Sequence, residues 1–280
     1  MDTERALAHA WHMLEAGCDG VTLFGTTGEG PAFTLSERTA FLDAALQSGI
    51  AADRLIVTIT ALALGDVIAL GRHAAALGVK RQMLMPAFYF NQPSDDGVVG
   101  MVSAAVQGIA DPQLQLLLYH FPAMSTYAFS HAAIARLVAL HPQQVVGVKD
   151  SGGDLSHALA LVKAFPTLSI LVGTEPHVAQ VMCAGGAGSI NGLSNIAPAL
   201  MRRIVDKPRS VSASDDANMA ALLALLAVRP GMPFVSVYKT MLAEQTGDDF
   251  WCNVRLPLCP LDNTEAQAVR QGYRALGNFD

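Results

Sequence analysis

The sequence predicts an α/β fold: one closed barrel of parallel strands wrapped in helices, followed by a helical tail. Three observations carry this. Strand and helix patterns alternate with short loops from residue 3 to residue 190, as parallel pairing through helical crossovers requires. The chain has 280 residues, a normal length for a single α/β barrel. From about residue 197 onward the pattern is helical only, and residues 206–213 are too few to link an independent domain. The organisation is therefore a barrel over 1–206 and a carboxy-terminal helical extension over 207–280, packed on it.

Residues 3–16 form an amphipathic helix stopped at Gly17, and residues 21–25 a strand running into the loop 26–31. Thr34 and Glu37 make a capping box that opens the next helix ahead of Phe41, Leu42 and Leu46. A strand over 55–60, a helix over 66–77 and a strand over 82–86 follow, then the aromatic loop 88–93. Ser94 caps a helix to Ala110, residues 114–119 are a continuous apolar strand, and Ser130 caps a helix ending near His141. After the valine-rich strand ending at Lys149, Asp154 caps a helix to about Phe165. A strand at 168–172, a helix at 176–184 and a short strand at 187–190 complete the alternation. Helices near 197–206, 213–228, 234–245 and 263–276 make up the tail. The count is about seven strands, where a closed barrel of this type has eight.

Composition narrows the function. Apolar residues make up 51% and charged residues 15%, and the net charge is −6, with no basic run or arginine–aromatic stripe. Nucleic acid is not an expected partner. Arg229 and Pro230 interrupt the longest apolar run, so no transmembrane segment is expected, and the amino terminus lacks a signal-peptide core. Cys18, Cys183, Cys252 and Cys259 are scattered without zinc spacing, as in reduced cytoplasmic proteins. No metal site is expected.

The chemistry gathers at strand ends. Of the lysines at 80, 149, 163, 207 and 239, only Lys149 closes an apolar strand. Strict alternation places it on one face with Val145 and Gly147, opposite Val146 and Val148, and Gly147 would leave room for its side chain inside the barrel. Lost hydration there disfavours the ammonium form, and a neutral amine is what Schiff-base chemistry on a carbonyl needs. A lysine ending a strand can equally reach solvent. Tyr119 ends its own strand on the face of Leu117 and offers a phenol for proton transfer, although such tyrosines also serve packing alone. Thr26, Thr27 and Gly28 follow the first strand and offer hydroxyls and N–H groups to a carboxylate. Gly173 and the 188–192 segment allow a ligand to approach the backbone closely.

These residues resemble a known family. The run 25–29 (Gly-Thr-Thr-Gly-Glu), the Tyr119-x-x-Pro122 strand end, the run 147–150 (Gly-Val-Lys-Asp) and the 188–190 turn stand in the order and spacing of the pyruvate-dependent class I aldolases. That is the family of dihydrodipicolinate synthase and N-acetylneuraminate lyase. The resemblance spans essentially the whole chain. It implies a TIM barrel with a helical extension, assembled as a homodimer or homotetramer. It further implies an imine between Lys149 and pyruvate, proton relay by Tyr119, and Thr26 and Thr27 holding the pyruvate carboxylate and positioning Tyr119. The backbone around Ile190 would line the site.

Four departures shape the expectation. The family barrel starts with a strand before its first helix, whereas this chain starts in the helix, so the first barrel strand is expected to be missing. The family's inter-subunit tyrosine position is Phe90 here, with Tyr89 beside it, and both are candidates for a subunit interface. Where the synthases carry an arginine for the aldehyde's carboxylate, this chain has Met124 and Ser125, closer to the lyases. His120 replaces the usual asparagine, and with Ser125 and Thr126 it could bind substrate hydroxyls. The expected activity is a Schiff-base lyase or aldolase acting on a 2-keto acid and an aldehyde, with no metal or organic cofactor. A 2-keto-3-deoxy sugar-acid dehydratase using the same imine, or a catalytically silent keto-acid-binding protein, are the alternatives.

Overall fold

The architecture was obtained as a computed structural model, which describes residues 1–86, 88–228 and 234–277. Helix α1 (Thr3–Glu15) comes first, its amino end capped by Asp2, which accepts the Arg5 N–H. Among the described residues seven strands follow, all parallel and paired strictly in chain order: β1 (Val21–Leu23), β2 (Leu55–Thr58), β3 (Arg81–Leu84), β4 (Gln115–His120), β5 (Val145–Asp150), β6 (Ser169–Val172) and β7 (Gly188–Ser189). Between them run α2 (Leu35–Gln47), α3 (Leu64–Ala76), α4 (Asp95–Ile109), the single turn α5 (Pro122–Ser125), α6 (His131–Leu140), α7 (Leu155–Ala164) and α8 (Val178–Cys183). Strand β1 stands at one end of the hydrogen-bonded order and β7 at the other.

Local chemistry sets the element boundaries. Thr34 and Glu37 form the expected reciprocal capping box on α2. Ser94, Ser130 and Asp154 accept backbone N–H groups at the starts of α4, α6 and α7, satisfying donors that the helix itself cannot. The expected 176–184 helix is a short 3-10 turn (Glu175–His177) that hands over to α8. After β7 come α9 (Pro198–Asp206), α10 (Ala213–Leu225) continuing as a 3-10 turn to Val228, α11 (Phe234–Thr246) and α12 (Asn263–Leu276). The Arg229–Pro230 break lies outside the described residues.

Three apolar layers hold these elements together. The largest joins the outer faces of the strands to α1–α6 and contains Val57, Leu84, Leu116, Leu118, Val145 and Val148. A second packs α7 and α8 against α9–α12 through Leu200, Leu222, Val237 and Met241. The third lies on the inner face of the curled sheet: Met83, Met85, Leu117 and Tyr119, with Ile56, Phe121, Met124, Val146, Leu171 and Ile190 packed on it.

Strict alternation fails in β5. The register between β4 and β5 slips between Leu116 and Leu117, and such a bulge turns one extra residue. Val146 consequently faces the interior with Lys149, while Val145 and Val148 face the helices. The glycine is also required for a different reason than room for the lysine. A Cβ at Gly147 would lie 2.3 Å from the Ser169 carbonyl oxygen and 2.8 Å from Leu117 Cδ2. Close approach of β6 excludes a side chain there.

Candidate active site

Register brings the two predicted reactive groups together. Tyr119 pairs with Lys149 across β4 and β5, and both are buried, at 2% and 7% exposure. The Lys149 Nζ sits 4.1 Å from the centre of the Tyr119 ring, within the range where a cation gains from the ring's negative face. The Tyr119 hydroxyl lies 3.1 Å from Thr26 Oγ1, with either oxygen able to donate. Phe121 leans on Tyr119 with ring centroids 5.8 Å apart. An amine, a phenol and an alcohol thus form one chain at the carboxyl ends of β1, β4 and β5.

This chain of groups faces a cavity of about 1560 Å³. Thr26, Thr27, Gly28, Tyr119, Lys149, Gly173 and Ile190 all line it. So do Arg81, Gln115 and Ser169 from the strands' amino ends and Arg5, His9 and Met13 from α1, so the space runs the height of the sheet. At the reactive end, a Cβ on Gly173 would fall 2.1 Å from Ser151 Oγ and 3.3 Å from the Ile190 carbonyl oxygen. Glycine there lets the Ser151 hydroxyl and the Ile190 backbone both reach the pocket wall.

Other predicted residues lie elsewhere. Ser125 is fully buried, and its hydroxyl donates to the Phe121 and Tyr127 carbonyls at 3.1 and 3.0 Å, so it serves its own turn rather than the cavity. Met124 is half-buried against the interior apolar layer and is not among the residues lining the cavity. Thr126, in a left-handed conformation, accepts the Gln92 N–H at 3.3 Å. Tyr89 and Phe90 are 72% and 76% exposed and pack edge to face on each other.

His120 departs most from expectation. It follows Tyr119 on the strand and therefore points the other way, into the helix layer, rather than toward a substrate hydroxyl. Its Nδ1 accepts the Phe129 N–H at 3.2 Å, and its ring stacks on His157 at 4.3 Å. Asp150, buried beside it, accepts the Gly152 N–H at 2.8 Å and His157 Nδ1–H at 2.9 Å. Burial first of all, and then the nearby His157, push His120 down to about 4, with Asp150 acting in the opposite direction. His120, Asp150 and His157 bring potential metal-ligating atoms within 4.8 Å of one another. The group does not suit a cation: with Nδ1 occupied by a backbone N–H, neutral His120 carries its proton on Nε2 and has no lone pair to offer there.

Sequence reading missed two groups on the cavity wall, Glu175 and Tyr238. Glu175 Oε1 accepts the Leu193 N–H at 3.1 Å and the Tyr238 hydroxyl at 3.4 Å. Burial raises the Glu175 carboxyl above its ordinary range, and burial together with Glu175 raises Tyr238 as well. Nearby, Lys239 Nζ pairs with buried Glu29 at 2.5 Å, and Glu29 also accepts the Arg255 N–H at 2.6 Å. No local motif marks the contact between Glu175 and α11, because the partners are far apart in sequence.

Comparison with known proteins places this geometry. The profile of the Dihydrodipicolinate synthetase family matches residues 1–275. The chain belongs to that family. An uncharacterized DapA-like lyase from Chloroflexus aurantiacus is 32% identical over 273 residues, covering 94% of this chain and 87% of the relative. A 4-hydroxy-tetrahydrodipicolinate synthase from Acidovorax is 25% identical, covering 95% and 88%. The crystal structure of dihydrodipicolinate synthase from Agrobacterium tumefaciens superposes with a TM-score of 0.91 at 31% identity, covering 99% of this chain and 94% of that one. YagE from E. coli, a prophage protein of the dihydrodipicolinic acid synthase family solved in complex with pyruvate, shares the fold with a TM-score of 0.86 at 21% identity, covering 99% and 93%. As a member of this family the protein is an enzyme, a lyase of the class I aldolase type.

Proposed function

We propose that the enzyme makes or breaks a carbon–carbon bond next to the carbonyl of pyruvate, through an imine at Lys149. The observation that carries this is the buried Lys149 amine against the Tyr119 ring, with the Tyr119 hydroxyl held by Thr26 at the cavity wall. The Lys149 amine adds to C2 of pyruvate, and loss of the carbonyl oxygen as water, with one proton delivered through Tyr119, leaves an iminium. Its positive nitrogen draws electrons from C3, a C3 proton leaves, and an enamine forms. The enamine carbon attacks an aldehyde, whose oxygen takes up a proton, and water then hydrolyses the imine to free Lys149. Tyr119 moves the protons, with Thr26 holding its hydroxyl in place. Thr27 and the backbone at Gly28, both on the cavity wall, receive the pyruvate carboxylate.

The iminium is itself the electron sink, so this chemistry calls for no metal or organic cofactor. The aldehyde side of the pocket favours a hydroxylated partner, because Ser151 and Asn191 line it. The exposed Tyr89–Phe90 pair fits contact with a second copy in a dimer or tetramer. Residues 1–206 act as the barrel and 207–280 as an extension packed on it, with Tyr238 and Lys239 reaching the cavity. An eighth strand between β1 and β7 would close that barrel and fill part of the cavity. All four cysteines are free, and among the described residues no helix is long and apolar enough to cross a membrane; both fit a cytoplasmic site of action.

The test is exchange of the pyruvate methyl hydrogens in deuterium oxide, followed by proton NMR. Exchange that requires both Lys149 and Tyr119 supports the enamine. Exchange surviving Lys149→Ala would refute it.

A further inference from the structure

Behind the reactive pair, on the opposite face of the same two strands, stands a second polar group that the proposed chemistry does not touch. Outward positions of β4 and β5 are otherwise apolar: Leu116, Leu118, Val145 and Val148 all join the outer core. The exceptions are His120 and Asp150, paired in register directly after Tyr119 and Lys149. Asp150 is a buried carboxylate whose hydrogen bonds come from the Gly152 N–H and His157 Nδ1–H. A buried carboxylate with a donor removed either takes a proton or moves. His157 comes from α7 and is the most open of the three, its side chain 23% exposed. It lies flat on His120 at an interplanar angle of 18°, and His120 is pinned in turn to the Phe129 N–H.

These contacts tie the end of β4, the end of β5, the turn after it and α7 into one unit. Movement of Asp150 would carry its two chain neighbours, Lys149 and Ser151, both on the pocket wall. We propose that His157 is a positioning residue: through its Nδ1–H bond to Asp150, it fixes the Lys149 amine against the Tyr119 phenol. The inference rests on the imine chemistry proposed above.

The experiment compares His157→Asn with His157→Gln. An asparagine amide can donate from near the Nδ1 position and keep the bond to Asp150, whereas a glutamine amide reaches the Nε2 position and loses it. Pyruvate methyl-hydrogen exchange gives kcat and KM, borohydride trapping at Lys149 gives the imine, and thermal melting reports folding. We expect the Gln variant to lose about tenfold or more in exchange kcat, the scale on which a displaced catalytic group reports itself. Its KM for pyruvate should stay within about threefold, and the Asn variant should keep a near wild-type kcat. A Gln variant as fast as wild type, equal losses in both variants, or unfolding of the Gln variant at the assay temperature would each overturn the inference. Wild-type protein that neither traps nor exchanges pyruvate would remove the imine chemistry and the inference with it. Wild-type exchange with an unaffected Gln variant would remove the inference alone.

Discussion

Thr26 Oγ1 lies 3.1 Å from the Tyr119 hydroxyl, which joins the loop after the first strand to the end of the fourth. That bond orients the phenol whose ring underlies the Lys149 amine. Tyr119→Phe removes the proton carrier and keeps the packing of the ring, so turnover should fall about 10²–10⁴-fold with the fold intact. Thr26→Val should act in the same direction by a smaller factor, because the phenol remains. Steady-state kinetics alongside melting curves check both. A Tyr119→Phe enzyme within a few-fold of wild type would take the phenol out of the mechanism.

His120 gives a pH prediction with a definite sign. Its folded value lies near 4, below the ordinary 6.5, chiefly because it is buried. As pH falls below about 6.5 the unfolded chain takes up the proton first, so stability drops between about 6.5 and 4 and stops changing from this group below that window. The difference corresponds to about 3 kcal/mol at most. His120→Asn should flatten the stability profile in that window, as measured by urea unfolding at pH 7, 5.5 and 4. Parallel profiles for the two proteins would mean that other groups set the acid sensitivity.

Much of this was legible in the sequence, and the exceptions have physical causes. Caps at Thr34, Ser94, Ser130 and Asp154 are local, since a side chain there meets a backbone only three residues away, and all were readable. The places of Lys149 and Tyr119 were readable because each is a polar group ending an apolar run, and the structure pairs them across β4 and β5. The faces of β5 were misassigned because one bulge inverts alternation without leaving a mark in composition. His120 was expected to be able to bind substrate hydroxyls because it stands where the family carries an asparagine, although alternation after Tyr119 turns it outward. Its contact with His157, like that of Glu175 with Tyr238, exists only after α7 and α11 take their places beside the sheet.

Gly147→Ala should destabilise the protein and slow it together. The new methyl would meet the Ser169 carbonyl oxygen and Leu117, so β5 must shift, at a cost of about 1–3 kcal/mol typical of overpacking. Lys149 stands two residues further along that strand. Thermal unfolding and methyl-hydrogen exchange on the same sample measure both effects; an alanine variant with unchanged melting and exchange would show that β6 yields easily.

Lys239→Met should also destabilise, by about 3 kcal/mol, because it strips buried Glu29 of its cation and leaves it the Arg255 N–H. The double variant Lys239→Met with Glu29→Gln should recover part of the loss. Chemical denaturation of the three proteins tests this, and additive losses would show that the pair is not coupled.

For the substrate, aspartate semialdehyde should be a poor partner, since the Met124–Ser125 turn lies off the cavity wall and brings its carboxylate no donor, and a carboxylate entering a pocket needs one. The comparison is kcat/KM against uncharged hydroxyaldehydes with pyruvate saturating. A tenfold preference for aspartate semialdehyde, about 1.4 kcal/mol in transition-state binding, would reverse the assignment.

The central claim is the imine at Lys149, and borohydride reduction in the presence of pyruvate tests it most directly. Peptide mass spectrometry should find a single stable adduct, on the peptide carrying Lys149, that is absent without pyruvate and absent in Lys149→Arg. An adduct on Lys163 or Lys239 with none on Lys149 would contradict the account.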